Sequence, residues 1–526
     1  MTKTILVILL LAGSMSARAA LDPAQVNQLA AEDSSDKVAA IRQLTQTADP
    51  DAVRVLKAMA EDGLFLAGDK AVIIDGDQAF DAATGTKMRM PANPESVTVN
   101  NRIRGELAGA LAALELFDTE RAVRLASARK LQSKVAPDMA PLLARALEKE
   151  SDGEIKALLT LAHAQASLGD ADPAVRLAAV KALAETTSPA IKTVLLPLTD
   201  KATESDDKVR YEAIAAIKSI DGRLAIAENL GRIFSGLSLG SILLLAALGL
   251  AITYGVMGII NMAHGELLMV GAYSAYAMQS LFRAWFPDYI DWYLPAAVPA
   301  AFFVAALVGV IMERTVIRWL YGRTLETLLA TWGLSLVLIQ SARVIFGAQN
   351  VEVSNPSWMS GGIELMPNLI LPWNRIIIVG FAMFVLLLVW LLMNKTRLGM
   401  FVRAVTQNRA MAGCVGVPTS RIDTMAFALG AGIAGLGGVA LSQISNVGPD
   451  MGQGYIVDYF MVVVVGCVGQ LAGAVWAALG LGIFSKLLEG WAGAVIAKIS
   501  ILVAIIIFIQ KRPQGIFALK GRFVDN

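Results

Sequence analysis

The sequence predicts an all-α protein in two parts, a secreted domain of short helical repeats followed by a polytopic helical membrane domain. Three observations lead there. Residues 21–225 are charged and alanine-rich, whereas from Ile233 onward long apolar runs are broken only by short polar loops. A short motif recurs within the first part. In the second part, Lys and Arg are alternately concentrated in and missing from successive loops. A chain of 526 residues also exceeds what one hydrophobic core usually organises.

Residues 1–20 read as a signal peptide: Lys3, the apolar core ILVILLLAG at 5–13, then Ala17-Arg18-Ala19 in the small-x-small cleavage pattern. That core is far shorter than the ~20 apolar residues a spanning helix needs. Removal near Ala19 or Ala20 is expected, with a retained anchor as the alternative. Cleavage would send residues 21–225 across the membrane as a periplasmic domain.

Within that domain, DPAVRLAAVKAL at 172–183 and DDKVRYEAIAAI at 206–217 are alike, and ERAVRLASARKL at 120–131 echoes them. In each, apolar residues recur at helical spacing behind an acidic residue that suits the positive end of a helix dipole. The pattern resembles HEAT-type repeats, in which each helix pair buries its apolar stripe against the next. Prolines 137, 141, 173, 189 and 197 fall mostly near the expected helix starts. Residues 70–90, KAVIIDGDQAFDAATGTKMRM, alternate as strands do and predict a small inserted hairpin. A repeat array of this kind is either a docking surface for a partner or a spacer. His163, in LLTLAHAQASL, reads as a packed helix residue.

The membrane domain, 226–526, has apolar stretches at 233–258, 265–282, 294–313, 327–346, 375–393, 422–445 and 493–510, with a longer broken one at 456–490. Most are long enough to span as helices. Arg314, Arg318 and Arg323 mark one loop; Lys395, Arg397, Arg403, Arg409 and Arg421 mark another; Lys511, Arg512, Lys520 and Arg522 mark the tail. The stretch 347–374 holds no Lys or Arg. Basic loops stay cytoplasmic, so the C-terminus is expected inside and residues 21–225 outside. Parity then requires 456–490 to enter and return, broken where Gly466, Gly469, Gln470 and Gly473 interrupt the helix. Unwound backbone at membrane depth is tolerated only where protein or a water-filled cavity covers it, which makes the break a candidate lining for a solute path. The remaining glycines of 429–442 and 465–482 read as close helix packing.

The stretch YGVMGIINMAHGELLMVGAY at 254–273 sets Asn261, His264 and Glu266 in apolar surroundings. An ionised carboxylate facing lipid costs on the order of 2.5–3.5 kcal/mol or more, so Glu266 must face a polar cavity, a partner or the interface. Two readings stand, a tight polar turn at the cytoplasmic surface and a bend lining a pathway. For the second, Asn261, His264 and Gln470 are the first choices as lining, with Glu266 fixing the bend through a hydrogen bond. Thr331, Gln340, Ser442 and Gln443 are further polar groups within the spans.

The formal net charge of +1, without basic clusters, argues against nucleic acid. Cys414 and Cys467 are the only cysteines, so the periplasmic part has neither a disulfide framework nor a cysteine zinc site. No HExxH or cysteine-histidine spacing predicts a metal, and no GxxxxGK[ST] loop predicts nucleotide binding. The sequence thus predicts no catalytic constellation and no cofactor.

The residues TYGVMGIINMAHGELLMVGAYSAY, then 399–423, 462–482 and 511–522 in the same order, resemble inner-membrane permeases of the branched-chain amino-acid (LivH-like) family of ATP-driven importers. The likeness covers the chain from about 233 to the end. Residues 325–362 and the secreted extension resemble the urea-importing branch of that family. The resemblance implies a multi-pass protein of the bacterial inner membrane, working with a second related permease, two ATP-binding subunits and a periplasmic solute-binding protein. The small neutral solute urea is its implied cargo. Branched-chain amino acids, short amides or a passive urea channel are the alternatives. It also makes the 394–421 loop, with its short helix pattern RAMAGCVGV ended by Gly416 and Pro418, look like the segment that receives motion from the ATPase. Arg403, Arg409, Met411, Gly413 and Gly416 are the residues implied there.

Overall fold

The computed structural model describes residues 21–511 except 48, 77, 133–134, 367 and 467–470. The expected signal peptide at 1–20, the tail from 512, and Gly469 and Gln470 lie outside the described residues. Two units divide the chain, Met1–Leu224 and Ala225–Asn526.

In the first unit, α1 (Pro23–Gln28), α2 (Ser34–Thr47) and α3 (Pro50–Ala60) precede a sheet, and α4 (Asn101–Glu115), α5 (Arg121–Leu131), α6 (Ala140–Lys149), α7 (Gly153–Ala166), α8 (Pro173–Ala184) and α9 (Pro189–Leu195) follow it. Helix α10 (Asp207–Met257) begins in this unit. Local chemistry sets the helix starts. Asp22, Asp49, Asn100, Asp152 and Asp172 each accept a backbone N–H of the first turn, and Pro23, Pro50 and Pro173 occupy positions where no N–H is needed. The apolar core runs as three successive clusters, from Leu21 to Leu114, from Ala112 to Ala166 and from Ala164 to Ile220.

The all-α expectation needs correction at two places. A five-stranded antiparallel sheet, β1 (Leu64–Ala67), β2 (Lys70–Asp75), β3 (Gln78–Asp81), β4 (Lys87–Met88) and β5 (Glu95–Ser96), is ordered β4-β3-β2-β1-β5. The hairpin expected at 70–90 is its centre, and left-handed glycines at 68, 76 and 85 make the turns. The second unit adds a two-stranded ribbon, β6 (Gly362–Met366) with β7 (Leu369–Pro372).

One ion-pair arrangement occurs twice in the first unit. Arg124 donates to both Glu150 oxygens and to the carbonyls of Asp118 and Thr119, while Arg176 donates to both Glu204 oxygens and to the carbonyls of Asp170 and Ala171. Glu150 accepts the Asp152 N–H and Glu204 the Asp206 N–H, so each carboxylate also fixes the loop before the following helix. The Arg124 bond holds the Glu150 carboxyl below the usual carboxylate range, and Arg176 does the same for Glu204. A depressed folded pKa contributes stability that is present above the unfolded value, about 4.3, and lost as pH falls through the folded one. Protection from hydrogen exchange across α5–α8, corrected for intrinsic rates, is therefore expected to fall as pH drops below about 4.3. Combining Glu150→Gln with Glu204→Gln should lower protection at neutral pH and flatten that dependence.

The second unit holds the rest of α10, then α11 (His264–Trp285), α12 (Tyr293–Thr315), α13 (Thr324–Phe346), α14 (Trp373–Lys395), α15 (Arg397–Gln407), α16 (Arg409–Cys414), α17 (Thr419–Ser442), α18 (Met451–Gly466), α19 (Leu471–Ala492) and α20 (Ala494–Lys511). Among the described residues, seven helices are long and apolar enough to cross a membrane. In α10 and α17, 72% and 83% of the most apolar window is buried, against 17–28% in the other five, so these two form the centre. The broken stretch expected at 456–490 is the pair α18 and α19, and α18 begins earlier, at Met451.

The two kinds of loop collect at opposite ends of this unit. At one end, Thr424 at the start of α17 donates to Glu313 at the close of α12 (2.8 Å), and Thr327 donates to the Arg323 carbonyl (2.7 Å). At the other, Gln279 and Tyr293 both donate to the Ser354 carbonyl, and Val351 and Val447 exchange a pair of backbone bonds of 2.8 Å. Loops 316–323 and 396–418, rich in arginine, share the first end; the 347–356 loop lies at the second.

Candidate functional site

Helix α10 stops at Met257, Gly258 turns in the left-handed region at φ 67°, and six residues run without helix before α11 begins at His264. Local bonds shape this break. The Asn261 side chain accepts the Ala263 N–H at 3.0 Å, and the Met262 N–H is taken by the Thr331 hydroxyl of α13 at 3.1 Å. Asn261, His264 and Glu266 are all buried, at 3%, 1% and 1% exposure.

His264 donates from Nε2 to the Ala246 carbonyl (3.0 Å), because a carbonyl can only accept. Its ring meets Tyr459 of α18 edge-on at 5.6 Å. Ser335 of α13 donates to Glu266 Oε1 at 2.9 Å. Ser335 has eleven residues of α13 on either side, which puts it about 16 Å from each end at 1.5 Å per residue. The carboxylate is thus tied to the middle of α13, one of the helices long and apolar enough to cross a membrane. The hydrogen bond that fixes it comes from Ser335. Asn261 Nδ2, His264 Nδ1, Glu266 Oε2 and the Tyr459 hydroxyl are buried without a partner among the described residues.

Helices α11 and α18 touch backbone to backbone beside these groups. A Cβ built on Gly265 would lie 2.6 Å from the Gly452 carbonyl oxygen, and one on Gly452 would lie 2.5 Å from that of Gly265. Tyr459 is seven residues, two helical turns, beyond Gly452 and so on the same face. Sequence reasoning missed Tyr459; the Gly452 and Tyr459 spacing was its only local signal. Gly466 closes α18, where a side chain would meet the Gly473 backbone. Ser442 and Gln443 join a separate buried group in which Tyr293 contacts Gln443 Oε1 at 3.2 Å, and Gln340 is exposed.

The residues singled out at 394–421 form two short helices. Asn408 caps α16 by accepting the Met411 N–H at 2.9 Å, and Gly416, at φ 86°, ends it. Arg409 is held within the chain. Its guanidinium donates through both terminal nitrogens to the Asp423 carboxylate of α17 and stacks 4.1 Å over the Tyr321 ring. Arg403 donates to the Met393 carbonyl. Met411 and Val415, 63% and 76% exposed, are left to present an apolar edge, with Gly413 exposed between them.

The family model for the branched-chain amino acid transport system permease component matches residues 232–510. The "High-affinity branched-chain amino acid transport system permease protein BraD" of Pseudomonas aeruginosa is 28% identical over 300 residues, covering 55% of this chain and 96% of its own length. The corresponding protein LivH of Escherichia coli (strain K12) is 29% identical over 294 residues, 55% of this chain and 94% of its own. A "Probable branched-chain amino acid transport permease protein LivH" of Methanocaldococcus jannaschii is 26% identical over 291 residues, 52% of this chain and 88% of its own. No solved structure matches.

Proposed function

The chain belongs to the branched-chain amino acid transport system permease family, and from that premise we propose that it forms half of the solute path of an ATP-driven importer working by alternating access, with urea as cargo. As an ABC-type permease it is a membrane component that leaves ATP hydrolysis to separate subunits. The observation that carries the proposal is the buried polar group of Asn261, His264 and Glu266, with Glu266 bonded to the middle of α13, because intramembrane polar residues mark solute pathways. Urea is small, un-ionised, and both donates and accepts hydrogen bonds, so amide, imidazole and carboxyl groups can replace its water without fixed countercharge.

In this scheme a second related permease supplies the other half of the path, two ATP-binding subunits sit at the arginine-rich end on the cytoplasmic side, and a solute-binding protein docks outside. Residues 21–225, as a periplasmic HEAT-like array, assist that docking. Arg409 positions α16, Met411 and Val415 offer the apolar edge that the ATPase grips, and Gly413 and Gly416 let it approach. Gly466, at the close of α18, is the described residue of the α18–α19 break that lines the path in this scheme.

Branched-chain amino acids are the second reading, favoured by the names of the matched relatives. Reconstitution of the chain with its partner subunits in liposomes separates the two. ATP-dependent entry of labelled urea that leucine does not compete is expected; leucine entry supports the second reading, and urea entry without ATP supports a channel.

A further inference from the structure

Among the described residues, the unpartnered polar atoms of His264, Glu266 and Tyr459 lie where α11 meets α18, with Asn261 Nδ2 a fourth in the break just before α11, although hydroxyls close by, those of Thr331 and Ser335, are bonded. A buried polar atom without a partner costs folding free energy, and a group of them calls for a bound molecule that supplies what the chain does not. We propose that Tyr459 is the fourth polar group of the solute site and that the Gly452–Tyr459 face of α18 is its movable wall. This rests on the permease reading above.

The seam geometry supports the wall. The Tyr459 hydroxyl lies 2.8 Å, and the Gly452 oxygen 2.6 Å, from the place a Gly265 Cβ would take. Glu266 Oε2 lies 2.6 Å from the place of a Gly452 Cβ. Phenol and carboxylate therefore face the same glycine crossing from opposite helices. The closest approach at the crossing is backbone against backbone, so parting α18 from α11 there separates Tyr459 from His264 and uncovers the Tyr459 hydroxyl and Glu266 together.

The donor and acceptor set states what fits between them. A neutral His264 that donates from Nε2 offers a lone pair at Nδ1, and Glu266 Oε2 is a second acceptor. Asn261 has spent its oxygen on the Ala263 N–H and offers N–H donors. Tyr459 adds one hydroxyl that completes the reception of a carbonyl. Two acceptors, an amide donor and a phenol complement an un-ionised solute with N–H groups around one carbonyl. The ammonium of a zwitterion could pair with Glu266, but its carboxylate would find no cation among Asn261, neutral His264 and Tyr459, which discriminates between the two cargo readings.

Tyr459→Phe removes one oxygen and tests the assignment in the assembled importer. The KM for labelled urea is expected to rise about tenfold while the maximal rate changes less than about twofold, the mark of a lost binding contact. The preference for urea over N-methylurea should also shift, which a packing defect alone would not produce. In the purified full-length chain, water-soluble carbodiimide should label Glu266 more in Gly452→Ala than in wild type, and added urea should protect it. A wild-type importer that carries urea with Tyr459→Phe unaltered in KM and preference overturns the role of Tyr459. Labelling indifferent to both Gly452→Ala and urea overturns the wall. A wild-type importer that moves no solute refutes the permease reading instead.

Discussion

Gly438→Val is expected to abolish accumulation of the folded membrane unit, measured as loss of the monodisperse peak in size-exclusion chromatography of detergent extracts. A Cβ at this position would stand 1.9 Å from the Leu268 carbonyl oxygen and 2.7 Å from the Ala272 nitrogen, both backbone atoms of α11. Backbone cannot rotate aside as a side chain can, so the helices themselves must separate. That separation would spread. One turn back, Gly435 packs on the Ala301 backbone and the Ala305 methyl of α12, and Gly271 of α11 packs on Gly435. Gly430 meets the Gly249 backbone of α10. Helix α17 therefore holds three neighbours at glycine distance, the arrangement through which small residues bind helices in lipid. Ordinary overpacking costs about 1–3 kcal/mol, and a β-branched side chain wedged between two backbones at the centre of the bundle exceeds that. Gly380→Ala is the control. Beyond its own stretch of helix, no atom of the described residues lies within 4 Å of its Cβ position, so the extracted protein should keep its peak and its melting temperature.

Much of this packing was legible before the fold was known. Glycines at 430, 435 and 438 in an apolar run read as helix contacts, because nothing else explains so many absent side chains in a span. The alternation of arginine-rich and arginine-free loops likewise anticipates which loops share an end. The partners of the buried polar group were less accessible. Ser335 lies 69 positions from Glu266, and helix periodicity shows which face a residue occupies but not which helix comes to meet it. Tyr459 was hidden for the same reason, since its pairing with His264 depends on α18 crossing α11 at two glycines. In the first unit, alternation revealed the central hairpin. The two-residue strands β4 and β5 are too short to carry a period and become strands only by pairing with neighbours already in place.

Asp423→Ala is expected to cut solute moved per ATP hydrolysed by an order of magnitude or more in the reconstituted importer. Helix α16 spans only Arg409–Cys414, far below the length at which a helix persists by itself, so its place depends on what grips it. The grip is Arg409, bound by both terminal nitrogens to Asp423 and laid over Tyr321, which links α16 to α17 and to the loop that opens α13. Asp423 is 6% exposed and Arg409 28%. Stripping one partner from a fully buried pair costs about 3–5 kcal/mol, a figure that the partial exposure of the guanidinium reduces. The freed α16 can follow the ATPase without pulling α17, and hydrolysis then runs without uptake. Arg409→Lys should fall between, because an ammonium supplies neither the paired donors nor the flat face that stacks on Tyr321. Combining Asp423→Ala with Arg409→Ala should stabilise the chain relative to Asp423→Ala alone, by removing the uncompensated charge, yet leave coupling just as poor. Coupling that survives Asp423→Ala would show that motion enters the membrane helices elsewhere, through the exposed edge of Met411 and Val415 acting on α15 instead of α17.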